Sequence, residues 1–325
     1  MAVFSTSDSK VLMPRNIATG MVKATQTTST IAKLSGREPQ RFGDTDIIVF
    51  NDFPRAEFVE EGGKKGSTKG GFSTVTAKPH KAQVTMRFND EVLWADEDYQ
   101  LGILRELGAA GGIALSRALD LGLYHRINPL TGEVIEDWTN YITKTSKVVE
   151  YGSGEADAEF RSAVGLLVNA LPSWGVNGAA FDPKMSWDLS ELKYRDGAGE
   201  TSAQRYPQLG FGTNVSDFLG VPVAQGDTVS GTPEAEDTGV RAILGDFKNG
   251  IRWGVQRDLP VEIIKFGDPD GQGDLKRHNQ VALRLEIVYG WYAFVDRFAI
   301  LKTPVEGTGE EGDDTDGDEP TGEDD

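Results

Sequence analysis

From Asn279 onward, Val281, Leu283, Leu285 and Ile287 alternate with Ala282, Arg284, Glu286 and Val288. A period of two marks a strand with one buried face. This strand constrains the chain more than any other segment, because all of Val240 to Leu301 reads as consecutive strands around it. Upstream lies LGDFKNGIRWGVQRDLPVEI, followed by a polar loop. Downstream, Gly290 interrupts the alternation, and a second apolar run extends from Trp291 to Leu301. Such a block speaks of what a protein builds rather than of what it catalyses.

The 325 residues suggest two domains, and 38% hydrophobic content fits a globular chain. Cysteine is absent, which excludes disulfides, thiol catalysis and cysteine-based zinc sites. The three histidines, His80, His125 and His278, are scattered. They read as surface residues or fillers of polar corners, and no metal site is expected. The opening MAVFSTSDSKVLMPRN lacks a basic region followed by an apolar stretch, so no secretory signal is expected. No apolar run approaches membrane-spanning length, and no membrane partner is expected. The chain should stay in its host's cytoplasm or leave only inside an assembly.

Net charge is −18, from 51 acidic and 33 basic residues. Eleven of the acids lie after Lys302, in EGTGEEGDDTDGDEPTGEDD, which has no base; without it 40 acids face 33 bases, a charge of −7. Residues 304–325 are therefore expected to be a disordered, solubilising tail that repels DNA.

Residues 1–43 form a polar, Thr-rich leader with six bases (Lys10, Arg15, Lys23, Lys33, Arg37, Arg41) and two acids (Asp8, Glu38). It has too few apolar residues for a core of its own and must lie along something else, or remain a loose terminus. Residues 44–90 read as a long hairpin with a Gly- and Lys-rich tip, GGKKGSTKGG. Pro54 and Pro79 interrupt its arms, so much of it should be edge-like and exposed, inviting pairing with another chain. Residues 95–124 read as one long helix capped by Asp96, with Gly108, Gly111 and Gly112 marking close approach of a strand or a bend. A second helix is expected over 156–171. A short one follows the Asp-Pro stop at 182–183, capped by Ser186 or Asp188. Residues 195–214 and GTPEAEDTG read as loops, the latter exposed.

No motif carries catalysis. Gly66 is followed by Ser67, Thr68 and Lys69, the wrong order for a phosphate loop. DPDGQGD places Asp268, Asp270 and Gly273 as a calcium loop would, but Gln272 and Asn279 occupy ligand positions. In the tail, Asp314, Asp316 and Asp318 fit, but Glu319 replaces the required glycine. No catalytic, cofactor or metal site is expected, and Trp253 and Trp291 read as core.

The order of parts, with LGDFKNGIRWGV, QVALRLE…YAFVDRFAIL and the preceding LGVPVAQGDTV, resembles the major capsid proteins of tailed phages over roughly residues 30–303. The resemblance implies an α+β, Hong Kong 97-type capsid fold. Residues 1–43 would be its N-terminal arm and 44–90 its extended loop. Residues 91–154 and 259–290 would form a peripheral domain around the spine helix, and 155–258 and 291–303 a central axial domain. It further implies a virion shell of pentamers and hexamers around double-stranded DNA, contacted non-specifically, with scaffolding, portal and decoration proteins as partners. Some members crosslink a hairpin lysine to a strand asparagine with help from a glutamate. The candidates are Lys64, Lys65 or Lys69, with Asn279 and Glu286. Readings from other classes are a protein nanocompartment shell of the same fold and an α/β enzyme.

Overall fold

The structure, a computed structural model, describes residues 28–50, 56–67, 72–94, 97–170, 175–196, 199–258 and 261–304. Most of the leader (1–27), Pro54, Lys69, the Asp96 cap and the acidic tail from 305 lie outside the described residues.

In chain order, helix α1 (Thr30–Leu34) precedes strands β1 (Thr45–Phe50) and β2 (Phe72–Asn89) and the long helix α2 (Glu97–His125). Then come β3 (Val148–Glu150), α3 (Ala156–Ala170), β4 (Gly178–Phe181), α4 (Pro183–Glu191), β5 (Lys193–Asp196) and β6 (Gly199–Gln204). Next follow β7 (Asp217–Phe218), β8 (Val221–Gln225), β9 (Val240–Gly245), α5 (Phe247–Gly250) and β10 (Ile251–Asp258). The chain closes with β11 (Glu262–Ile264), β12 (Gln280–Ala293) and β13 (Phe298–Lys302).

The first sheet has the order β1-β2-β12-β10, with β11 also on β12. Its inner face, Leu283, Leu285, Ile287, Tyr289 and Trp291, packs under α2. Two glycines let the helix come close. A methyl on Gly111 would lie 2.7 Å from the Leu285 side chain, and one on Gly122 would lie 3.0 Å from Trp291. The Tyr289 hydroxyl donates to the Leu115 carbonyl at 3.0 Å and fixes the helix in register.

The second sheet has the order β3-β13-β9-β4-β8-β7. Its central strands β4, β9 and β13 are buried on both faces, which is why they read as largely apolar runs. Ala180, Ile243 and Ile300 point into the core shared with α1, α2 and the first sheet. Their neighbours Phe181, Leu244 and Leu301 point into a separate core beneath α3 and α4. That second core centres on Phe160, whose ring meets Phe181 and Phe218 edge-on at 5.7 and 5.2 Å.

Several expectations need correction. Gly290 does not end the strand: β12 runs through it and pairs with β2 from Gln280↔Asn89 to Trp291↔Lys78. Asn279 lies outside the strand as a left-handed cap, φ 52°. Pro79 likewise sits inside β2. Pairing with β1 stops at Ala77 and pairing with β12 begins at Lys78, so Pro79 has a single partner strand and its missing N–H can face the open edge. The return arm thus pairs with β12 over 78–89, while among the described residues the outgoing arm is strand over 45–50. Helix α4 is capped by Asp182, not Ser186 or Asp188. Its carboxylate accepts from Lys184 N, and Pro183 takes the first helical position, where no N–H is needed. Within 195–214, β5 and β6 pair as a hairpin.

Residues 251–258 and 291–293 extend the sheet of the hairpin strand, and 148–150 joins the second sheet.

Candidate assembly interface

Residues 29–31 of the leader are buried in their own subunit. Ser116, Asp120 and Tyr124 form a polar stripe at four-residue spacing on α2, facing Thr28, Ser29 and Thr30. The hydroxyls of Thr28 and Ser116 lie 2.5 Å apart. Asp120 accepts from Thr30 N and Oγ1 (both 2.8 Å), Ile31 N (3.3 Å), Thr228 Oγ1 (3.0 Å) and the Ser29 hydroxyl. With its proton committed to Asp120, Thr30 Oγ1 accepts from the Tyr124 hydroxyl at 2.9 Å. Burial pushes the Asp120 pKa up, and the hydrogen bonds pull it back. One carboxylate therefore joins the leader, the long helix and the segment after β8. Sequence reading missed it. The available signal was a lone acid between Leu119 and Leu121, in step with the hydroxyls four residues to either side.

Arg117, one turn earlier, makes a second tie. It donates to Asp227 (2.6 Å), to both oxygens of Glu234 and to the Thr232 carbonyl (2.9 Å). The loop GTPEAEDTG, expected to be exposed, is thereby tied to α2.

The histidines do not all sit at polar surfaces. His80 stacks on Trp291 at 3.9 Å between centroids and tilts against Trp138 at 4.2 Å. Its pKa is lowered to about 4 by burial, with Lys78 adding to the effect. His125 is buried with Nε2 2.9 Å from the Val229 carbonyl, and burial likewise lowers its pKa to about 4. The calcium-like loop is closed by a side chain: Arg87 donates to Asp268, Asp270 and the Gly273 carbonyl, standing where a cation would. Trp253 and Trp291 are core residues, 1% and 3% exposed.

The hairpin contrasts with this closed body. Phe42, Ile48 and Phe58 are 66%, 65% and 106% exposed, the last in the described tip segment 56–67. Lys64 and Lys65 are exposed in the same segment. Asn279 lies at the opposite end of the 18-residue β2, beside Asp90, whose N–H bonds its carbonyl at 2.9 Å. Strand β2 itself is roughly 60 Å long at ~3.3 Å per residue. Glu286, about 23 Å along β12 from Asn279 by the same rise, is paired with Lys81 at 2.7 Å. Within one subunit Asn279 and Glu286 therefore do not adjoin each other.

A cleft of about 320 Å³ opens between the starts of α3 and β5. Three of its carboxylates have structural partners: Tyr151 donates to Asp188 at 2.5 Å, Arg205 to Glu155 at 2.5 Å, and the N–H groups of Gly152 and Gly154 to Glu159. Among the described residues no group of three or more His, Cys, Asp or Glu could hold a metal. No described helix is long and apolar enough to cross a membrane.

A rigid two-core body carrying an exposed strand hairpin defines a structural subunit made for contact with other subunits. No family model matches the chain. A solved chain from Mycobacterium phage Ogopogo is 39% identical, with a TM-score of 0.72, covering 85% of this chain and 92% of that one. One from Gordonia phage Cozz is 28% identical, with a TM-score of 0.73, covering 86% and 87%. The probable major capsid protein gp17 of Mycobacterium phage D29 is 23% identical over 263 residues, 78% of each chain. The chain belongs to the major capsid proteins of tailed phages, with the Hong Kong 97 fold. Its role is structural: it builds the capsid shell of the virion.

Proposed function

We propose that the subunits assemble as pentamers and hexamers into an icosahedral shell around double-stranded DNA. The observation that carries this reading is the hairpin, whose strand β1 and tip expose Ile48 and Phe58 while the body is closed around two cores. Large exposed apolar side chains on an extended segment favour burial against another chain. On this reading 91–154 and 259–290 form the peripheral domain, enlarged by 251–258 and 291–293. The remainder of 155–303 forms the axial domain, with β3 joining its sheet. Residues 1–43 act as the arm and 44–90 as the extended loop. Assembly takes place in the host cytoplasm with scaffolding, portal and decoration proteins, and the acidic tail faces away from the DNA.

A crosslink would join the amine of Lys64, Lys65 or Lys69 of one subunit to the Asn279 carboxamide of another, releasing ammonia, with a Glu286 assisting. Denatured mature shells would then run as a ladder, and a single monomer band would remove the crosslink. The main reading is tested by negative-stain microscopy of purified particles together with their nucleic-acid content. Uniform shells holding DNA in infected cells are expected. Uniform shells enclosing protein cargo would favour the nanocompartment, and a small monodisperse species would contradict both.

A further inference from the structure

Two residues that break the strand patterns in the sequence, Gly290 and Pro79, occupy one row of the first sheet. Gly254 pairs with Gly290, and Gly290 pairs with Pro79. Cross-strand partners share a face. The rows on either side contribute Trp253 and Trp291, then Val255 and Tyr289, to the opposite, inner face. On its outer face the sheet therefore has a shallow trough where other rows carry side chains.

The segment between α1 and β1, residues 36–43, lies in that trough. It enters along the free edge of β10: Arg37 bridges Trp253 in parallel, and Glu38 N–H donates to the Trp253 carbonyl at 2.9 Å. The Trp253 indole donates to Ser35 at 2.8 Å, and Arg252 pairs with Glu38. A methyl on Gly254 would collide with the Glu38 carbonyl. One on Gly290 would collide with the amides of Gln40 and Gln256.

Gln256 is the extra residue of a bulge in β10: Val255 pairs with Tyr289 and Arg257 with Val288, leaving Gln256 without a partner. Bulges re-aim side chains. Here the carboxamide grips the main chain of Gly43 at both ends, accepting from its N–H at 3.0 Å and donating to its carbonyl at 2.9 Å. The same amino group reaches Gln40 Oε1 at 3.4 Å. Gly43, at φ +105°, has a backbone conformation that suits glycine, and β1 begins two residues later.

The hairpin thus has two roots of different kinds. Strand β2 continues into the sheet through twelve paired residues, from Lys78 to Asn89. Strand β1 is rooted through the Gln256 clasp and the strap in its trough. We propose that the strap across Gly254 and Gly290, closed by Gln256, is a releasable latch that fixes the angle of the hairpin to the sheet and thereby the curvature of the shell. The latch rests on the shell-building role of the hairpin, but its parts lie in one subunit. It consists of hydrogen bonds, one partly exposed ion pair and a fitted surface, so local opening can release it without unfolding the core.

The test uses the full chain with Gln256→Ala, and separately Gly290→Ala, whose methyl displaces only the ends of two glutamine side chains. Amide exchange at residues 43–48 should quicken by ~10-fold or more, with residues 81–88 and 281–288 unchanged. Shells of either variant should spread over several diameters where the wild type gives one. A freed hairpin root with shells of wild-type size would overturn the latch, as would faster exchange spread evenly over the whole sheet. Absence of shells from the wild-type chain would instead overturn the shell reading beneath it.

Discussion

The leader and the hairpin root are tied to the body by the same means and to opposite effect. Both are held by side chains distant in sequence, Asp120 for residues 29–31 and Gln256 for Gly43. Asp120 is 1% exposed and takes its hydrogen bonds in the buried core. Gln256 is a neutral amide on the outer face of a sheet. Breaking the first leaves buried donors without partners, whereas breaking the second lets water replace the lost bonds. On the proposed reading, in which one chain fits both pentamers and hexamers, a subunit needs one anchor of each kind.

The comparison can be broken at its strongest point first. Asp120→Ala strands the Ser29, Thr30 and Thr228 hydroxyls and should destabilise the subunit by about 3–5 kcal/mol in denaturant unfolding. A loss below about 1 kcal/mol would mean that the leader is not anchored there.

Acid comes next. His125 is neutral in the fold with a pKa near 4, while an unfolded histidine titrates near 6.5. The unfolded chain takes up protons that the folded chain refuses, so stability is lost as pH falls through this window, by about 3 kcal/mol for His125. His80 acts in the same direction. Asp120, whose pKa burial raises, has the opposite sign and loses stability as pH rises, so it does not add to the acid loss. Unfolding of His125→Gln at pH 7 and pH 4.5 should show a pH penalty smaller than that of the wild type, and an equal penalty would refute the assignment.

Smaller effects belong to the outer face. Gln256→Ala should lower global stability by only about 1 kcal/mol, because its partners become hydrated. Lys81→Ala, which removes the partner of Glu286 from a half-exposed pair, should change it by less than about 1 kcal/mol. A large loss from either substitution would erase the distinction between core anchor and surface latch.

Much of the frame was readable from residues alone. The alternation of Val281 to Ile287, the helical spacing through Leu121 and the apolar face of Phe160 to Leu167 each depend on neighbours a few positions away. What was misread depends on partners far off. Gly290 and Pro79 look like breaks in a strand until the strap that crosses the sheet is known, and Gln40 and Gln256 are 216 residues apart in the chain. Asp120 and Arg117 look like ordinary helix charges, because their partners come from the leader and from the loop after β8. The crosslink candidates came from resemblance, and no pattern of neighbouring residues could have supplied them.

The most direct measurement is a reconstruction of the assembled shell at side-chain resolution. The account predicts Phe58 and Ile48 buried against a neighbouring subunit, with residues 29–35 still seated on Asp120 of their own. A hairpin folded back on its own body, or a leader exchanged into the neighbour while the hairpin stays in solvent, would contradict it.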